Sequence, residues 1–471
     1  MKSCTKVILF ALTGLLLFAS MLQKITNLPR FVELKGAIEE RPMPALTFPS
    51  YADGSFQGQT EAHLKQRFGF REPLIRLYNQ YLWDCYGKTP VTEGQVVFGK
   101  DGWMYEPWVV ADHYQRQFRL YAADSAQMAQ KLTEEAQRVL QLQQNLEAYG
   151  IHLFVCMVPA KDLICPEYLP ENQDTRFDDQ PKISARFFNE EEYTRLEVNH
   201  LNLEQWFLQV KDTVDFMLFP KTGTHWSKYA ALFAADTLIR YMEHLGGLNM
   251  RNLVIGPSTL DNARDPDADL ESLLNLIRPL PKPKYYYAEA TTDGDTTATK
   301  PKMIVVGDSF WWNIASQIPL GEIFSESPYW YYNSTIYFGE PYHSVDELDL
   351  AEELLSADFI ILFYSATQQY RMNDGFTQKA LEALSQVDDN GAIDSTAFIE
   401  REIERMMAKL KGDPSSMELL QEKAKQNNKS IEQTLRDDAE WIVNYQLEQG
   451  SLKWPVIKQK TNTKSDSYGI Q

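Results

Sequence analysis

Met303-Ile304-Val305-Val306-Gly307-Asp308-Ser309-Phe310 is the stretch that decides how this chain reads. Met303 to Val306 has the look of a short buried strand, and Gly307-Asp308 of a tight turn that exposes Ser309. Hydrolytic and acyl-transfer enzymes of the α/β class present a nucleophile at such a turn. The run from Phe310 to Ser316 reads as the start of a helix, whose N-terminal N–H groups favour a developing oxyanion. Gly-Asp-Ser alone is a common tripeptide. The strand before it, the helix after it and a second motif, Thr224-His225-Trp226, make it a candidate site.

Working outward, Ile151 to Val158, closed by Pro159, and Phe359-Ile360-Ile361-Leu362-Phe363 read as two further buried strands. Met128, Leu132, Val139, Leu142, Leu146 and Tyr149 recur on one face of a long helix that stops at Gly150. Ser227 caps a helix from Lys228 to about Met242. Apolar strands separated by amphipathic helices predict an α/β fold, a parallel sheet covered on both faces. Ligands bind such sheets at the carboxyl ends of the strands, where Ser309 and the Pro159-Ala160-Lys161 turn sit.

Two β-prone runs flank Gly99-Lys100-Asp101-Gly102 and predict a hairpin. Gly256 to Lys302 is rich in Pro, Asp and Thr and reads as a loop excursion with one short strand near Tyr285-Tyr286-Tyr287. Beyond Phe376 the chain turns to charged helices. One runs from Phe398 to Leu410, stopping at Gly412 and Pro414; another opens on the capping box Ser430-Ile431-Glu432-Gln433 and continues through Tyr445. Its stripe of Ile431, Leu435, Ala439 and Ile442 needs a partner surface. There are no internal repeats.

At the N-terminus Lys2 and Lys6 precede Val7 to Leu22, which is apolar except for Thr13, Gly14 and Ser20. As a helix that segment reaches about 24 Å, against about 30 Å for a hydrocarbon core. The flanking charge sends the rest of the chain out of the cytoplasm. Without a good small-x-small cleavage site, an uncleaved signal anchor is preferred to a signal peptide. Residues 30 to 60, with Pro42, Pro44 and Pro49, read as an extended stalk. The expected division is an anchor over 1–28, a stalk and hairpin segment over 29–110, an α/β domain over 111–380 and a helical appendage over 381–471.

The chain of 471 residues carries 46 basic and 65 acidic residues, a formal charge of −19. Nucleic-acid binding is excluded, since phosphate contacts need a positive footprint. Cys4, Cys85, Cys156 and Cys165 have no paired spacing and no histidine cluster, so neither a zinc site nor another metal site is expected. Buried free thiols are expected in preference to a disulfide. No Gly-rich phosphate loop is present, and no cofactor is expected.

A serine nucleophile needs a base. Of the seven histidines, His225 lies in a loop immediately before a helix, a usual place for a catalytic base. His152 and His244 read as structural, and His343 is the reserve candidate.

Taken in order, the anchor, the stalk, Val97-Phe98-Gly99-Lys100-Asp101-Gly102-Trp103, Val158-Pro159-Ala160-Lys161, Thr224-His225-Trp226 and Gly307-Asp308-Ser309 resemble the alginate O-acetyltransferase family of envelope SGNH-type proteins. The resemblance spans roughly residues 50 to 380. Ordinary SGNH hydrolases place the Gly-Asp-Ser block early and the histidine late; this family reverses the order, and so does this chain. The resemblance implies a flavodoxin-like sandwich that moves acetyl groups onto an exported polysaccharide through an acetyl-serine. It further implies a multi-spanning membrane acyltransferase partner, a location in the bacterial envelope with the main domain outside the cytoplasm, Ser309 as nucleophile and His225 as base.

One departure stands out. The family motif is Asp-Thr-His-Trp, whose aspartate orients the histidine, and here Gly223 takes its place. Three arrangements fit: another acid, Asp308 or Asp162, replaces it; the enzyme works as a Ser-His dyad; or the site has lost catalysis and kept glycan binding. Asn313, one turn after Ser309, is the candidate oxyanion donor beside the Ser309 N–H. Lys161 in the family's Pro-x-Lys turn, Trp311, Trp312 and Tyr331 are the candidate substrate contacts, although sheet and core packing is the preferred account of the aromatic residues. A carbohydrate acetyl esterase would use the same residues with water as acceptor.

Overall fold

The computed structural model describes residues 2–36, 41–114, 125–171, 185–339, 342–385, 387 and 395–450. Strands β1 (Val97–Phe98) and β2 (Met104–Tyr105) form the expected antiparallel hairpin. Next come β3 (His152–Val158) and β4 (His200–Asn202). The excursion then contributes β5 (Leu253–Ile255), β6 (Thr259–Asp261), β7 (Tyr285–Tyr287) and β8 (Ala290–Thr292). The last four are β9 (Met303–Gly307), β10 (Tyr329–Tyr331), β11 (Thr335–Tyr337) and β12 (Phe359–Ser365).

Six of these build the central sheet, in the order β11-β10-β9-β12-β3-β4. Every pairing is parallel except that of β10 with β11 at one edge. The expected α/β sandwich is therefore present, with one antiparallel edge strand. Side chains alternate between its faces with the period of two that a strand imposes. Phe154, Cys156, Val158, Val305, Ile361 and Phe363 enter one core, with Trp226 and the helix Lys228–Gly246. Leu153, Val155, Met157, Ile304, Val306 and Leu362 enter the other, with Val139, Leu142 and Leu146 of the helix Ser125–Glu147. Each such side chain contributes about 1.5–3 kcal/mol when fully buried, so the three long central strands fix the register.

In that register Phe363 lies opposite both Gly307 and Cys156, which puts Ser309 just beyond the carboxyl edge of the sheet. Gly307 serves a close approach rather than an unusual backbone angle. A Cβ there would sit 2.0 Å from the Phe363 carbonyl oxygen. Any side chain would push β9 away from β12.

Several expectations change. The helix after Ser309 covers only Trp311–Ala315, and Pro319 precedes a second short helix, Leu320–Ile323. The 30 to 60 segment is not wholly extended, since Phe48–Ala52 and Ser55 onward are helical. Trp103 and Tyr105 of the hairpin pack in the same core as Phe154, so a boundary at 110/111 cuts through packed side chains. In the tail, helices Ser395–Gly412 and Ile431–Glu448 pack through Ile403, Ala439 and Val443. The buried stripe continues from Leu435 and Ala439 to Val443, one full i+4 step, and leaves Ile431 exposed. Residues 451–471 of the expected appendage lie outside the described residues. Cys156 and Cys165 are free and buried, and Cys85 is free and exposed. The N-terminal helix runs from Lys2 to Thr26, longer than the apolar stretch alone because its polar flanks stay helical. Among the described residues it is the one helix long and apolar enough to cross a membrane.

Candidate active site

Ser309 and His225 meet across 84 positions of sequence. The Ser309 hydroxyl lies 2.8 Å from His225 Nε2. β9 delivers the serine, and the loop before the helix Lys228–Gly246 delivers the histidine. Ser227 caps that helix by accepting from the Ala230 N–H and donates to the Met217 carbonyl, which fixes the loop immediately after His225.

The carboxylate at the far nitrogen of His225 belongs to Asp269. Its Oδ2 lies 3.0 Å from His225 Nδ1, while its Oδ1 accepts from the N–H groups of Thr224 and Leu270 at 2.8 and 2.7 Å. Asp269 opens the short helix Asp269–Leu273, within the stretch that reads in sequence as a loop excursion. With Nδ1–H donated to Asp269, Nε2 is the acceptor for the Ser309 hydroxyl, the tautomer a general base requires. Burial acts to lower the His225 pKa. The hydrogen bond and charge of Asp269, helped by Glu106 and Asp308, outweigh it and hold the imidazole above its ordinary 6.5.

The two acids proposed from sequence do other work. Asp308 is buried and accepts from the Ser365 N–H at 2.7 Å and the Phe310 N–H at 3.1 Å, so it shapes the nucleophile turn and ties it to β12. Burial pushes its pKa up, against those hydrogen bonds. Asp162, fully buried, pairs with His113 Nδ1 at 3.0 Å. Neither faces the far nitrogen of His225, where Asp269 sits instead.

Gly223 has no room for the family's aspartate. A Cβ there would lie 2.8 Å from Pro220 Cγ and 2.9 Å from the Asp267 carbonyl oxygen. The Asp267–Asp269 segment occupies the space and supplies the carboxylate from the other side. Asp267 itself is buried, accepts from the Tyr287 hydroxyl and the Lys228 N–H, and is pushed up by burial to about 6. β7 thereby braces the segment that carries Asp269.

Lys161 is not a substrate contact. Its buried ammonium donates to the carbonyls of Met104, Gly223 and Lys221 at 2.6, 2.7 and 3.1 Å, between the rings of Trp103 and Tyr105. It pins the histidine loop to the hairpin. Burial pulls its pKa down to about 7, opposed by nearby Cys165, Asp269 and Glu106. Asn313 is buried and donates to the Trp226 carbonyl at 3.1 Å, which removes it as an oxyanion donor. Trp311 is fully buried in the core, and Trp312 packs against Tyr329, Tyr337 and Phe338. His343 sits on the β11 side of the sheet, exposed and away from Ser309.

Of the aromatic candidates Tyr331 does reach the site. A pocket of about 530 Å³ opens over Ser309, His225 and Asp269, lined also by Tyr331, Tyr332, Gln368, Arg371, Glu106 and Trp108. The Arg371 guanidinium stacks 4.5 Å from the Tyr332 ring and pairs with Asp374. Glu106 lies close to His225, and burial raises its carboxyl above the ordinary range. Sequence reading missed Asp269, Glu106 and Arg371. An acidic cluster in Asp265-Pro266-Asp267-Ala268-Asp269 was the available signal, hidden because surface loops carry such runs routinely.

Residues 96–317, which include His225, Asp269 and Ser309, match the family model described as the SGNH hydrolase-like domain of the acetyltransferase AlgX. Similar solved structures include the O-acetyltransferase domain of Pseudomonas putida AlgJ, at 14% identity and a TM-score of 0.38, covering 60% of this chain and 99% of that one. Pseudomonas aeruginosa AlgX is 12% identical at a TM-score of 0.38, covering 63% and 70%. Bacillus cereus PatB1 is 13% identical at a TM-score of 0.34, covering 58% and 96%. No curated protein sequence matches the chain. Over residues 96–317 this chain thus resembles, as its ordered motifs imply, the alginate O-acetyltransferase family of SGNH hydrolase-like proteins.

Proposed function

We propose that this protein is an envelope-anchored, serine-dependent O-acetyltransferase that moves acetyl groups onto an exported polysaccharide. The observation that carries the reading is the hydrogen-bonded series from Ser309 through His225 to Asp269, open to a pocket. In the first step Ser309 Oγ attacks the acetyl carbonyl of the donor, and His225 Nε2 takes the hydroxyl proton. The tetrahedral oxyanion is held by the Ser309 N–H at the turn. As the donor's leaving group departs with the proton from His225, acetyl-Ser309 remains.

In the second step His225 removes a proton from a hydroxyl of the acceptor, whose oxygen attacks acetyl-Ser309. Collapse returns the proton to Ser309 Oγ. Asp269 keeps the tautomer correct in both steps and stabilises the imidazolium between them. Tyr331 and Tyr332 offer ring faces for a sugar, and Gln368 and Arg371 offer donors to its oxygens. The N-terminal helix would hold the domain at the outer face of the cytoplasmic membrane, where a multi-spanning membrane acyltransferase would deliver the acetyl group. The non-catalytic reading draws its support from Gly223; the Asp269 carboxylate at His225 Nδ1 supports the catalytic one.

Incubation with an activated acetyl ester, followed by intact-mass analysis, tests the intermediate. Wild type should gain one acetyl group on Ser309, and Ser309→Ala should gain none. Adding an oligosaccharide acceptor should discharge the adduct faster than water does, with acetyl recovered on the sugar. Acetyl recovered only as acetate would support the esterase instead.

A further inference from the structure

The helix Arg71–Tyr86 packs on the domain through Trp83, beside Phe98, and through two polar side chains. Asn79 is buried and donates to the Leu274 carbonyl at 2.8 Å, and Gln80 accepts from the Ile277 and Arg278 N–H groups. Another face of the helix presents apolar residues outward. Leu74, Leu77, Tyr78 and Tyr81 are 51%, 59%, 56% and 56% exposed. With Cys85, also exposed, they recur at spacings of three and four, a single stripe about 100° wide on a helix of 3.6 residues per turn. A soluble surface does not gather large apolar residues in this way. The same segment of chain adds exposed Leu64 and Phe68 just ahead of the helix.

The stripe adjoins the N-terminal apolar helix. Ser20 Oγ donates to the Gly69 carbonyl at 3.0 Å, and the Phe70 N–H donates to Gln23 Oε1 at 3.2 Å. The end of the apolar helix and the start of the stripe helix are therefore one contact. The surrounding chain is less acidic than the rest: residues 61–86 hold four basic and three acidic residues, Lys65 paired with Glu61, within a chain of formal charge −19.

We propose that the helix Arg71–Tyr86 lies flat on an anionic lipid surface, its Leu74–Tyr81 stripe set among the headgroups. The inference rests on the anchored reading above, because the apolar helix brings the stripe to the bilayer. Tyrosines suit that depth, with an apolar ring and a polar hydroxyl, and the local basic residues suit anionic headgroups. The opposite face of the helix holds Leu274 to Arg278, directly after the helix that carries Asp269. Membrane contact would thus fix the mouth of the pocket at a set distance from the bilayer.

Cys85 is a native label site on the stripe, and Cys156 and Cys165 are buried in the folded chain. Full-length Cys4→Ser protein, labelled at Cys85 with a fluorophore, would be reconstituted in phosphatidylcholine–phosphatidylglycerol vesicles containing lipids with shallow nitroxides. In Cys4→Ser/Cys85→Ser backgrounds, Leu77→Cys supplies a second stripe position, Phe10→Cys reports the anchor and exposed Glu418→Cys reports the appendage. The labels at Cys85 and Leu77→Cys should be quenched at least about threefold more than that at Glu418→Cys, as an interfacial helix requires. Quenching at Phe10→Cys with none at either stripe position would overturn the inference and leave the anchor standing; a second protein or a second copy covering the stripe would give that result. No quenching at any position would overturn the anchored reading and the inference with it.

Discussion

Asp269 and His225, 44 positions apart in sequence, meet through a 3.0 Å contact between Oδ2 and Nδ1. That contact supplies from one segment what the related motif places two residues before the histidine. The substitution at position 223 and the excursion that follows are two halves of one arrangement. The space a side chain at 223 would need is filled by the backbone of Asp267.

Restoring the family's aspartate at the original position should therefore fail. Gly223→Asp forces a Cβ into contacts of 2.8 and 2.9 Å with Pro220 and Asp267. Overpacking of this kind costs about 1–3 kcal/mol, and the shift would displace Asp269. Lower denaturation midpoint and lower acetyl-ester turnover are expected together. A Gly223→Asp protein of undiminished stability and higher turnover would show that the acid belongs at 223.

The pH dependence follows from the raised His225 pKa. The base form is the active form, so kcat/KM should rise through an acid limb centred above 6.5. Asp269→Asn removes the main influence holding that value up, and the limb should move to lower pH. The same linkage bears on folding. The His225–Asp269 pair stabilises the protein fully below the ordinary histidine value, and that contribution fades as pH rises through the raised one. Titration of kcat/KM in both proteins checks the sign; an acid limb unmoved by Asp269→Asn would be inconsistent with it.

Lys161→Met tests the loop anchor. The substitution leaves two buried carbonyls, those of Met104 and Gly223, without their Lys161 donor, while the Lys221 carbonyl keeps the Met104 N–H. Each unsatisfied group costs roughly 1–3 kcal/mol. A large fall in the denaturation midpoint is expected, along with lost activity, because the Gly223 carbonyl sits two residues from His225. Unchanged stability would mean the ammonium is a site group after all.

Much of this was legible from residue order alone. The strands β3, β9 and β12 announce themselves because each is buried on both faces, which leaves uninterrupted apolar runs. Ser309 and His225 are legible because each sits at a punctuated end, a glycine turn in one case and a helix cap in the other. Asp269 was not legible, since its role depends on a long-range approach and its local sequence resembles any acidic loop. Asn313 misled for the converse reason: helical spacing places it near Ser309, but burial turns its amide to Trp226. The short strands β4, β10 and β11 carry too few residues for a period to show.

The most direct test compares three conservative acid substitutions, Asp269→Asn, Asp308→Asn and Asp162→Asn, by kcat/KM on an activated acetyl ester, with thermal melts to confirm folding. If Asp269 orients His225, its amide variant should stay folded and lose activity by up to about 10⁴-fold, the size seen when a serine-protease triad loses its carboxylate. Asp162→Asn, whose carboxylate pairs with His113 instead, should retain activity to within a small factor, and Asp308→Asn should fall between as the nucleophile turn loosens. Asp269→Asn at near wild-type activity, or Asp162→Asn carrying the large loss, would contradict the account.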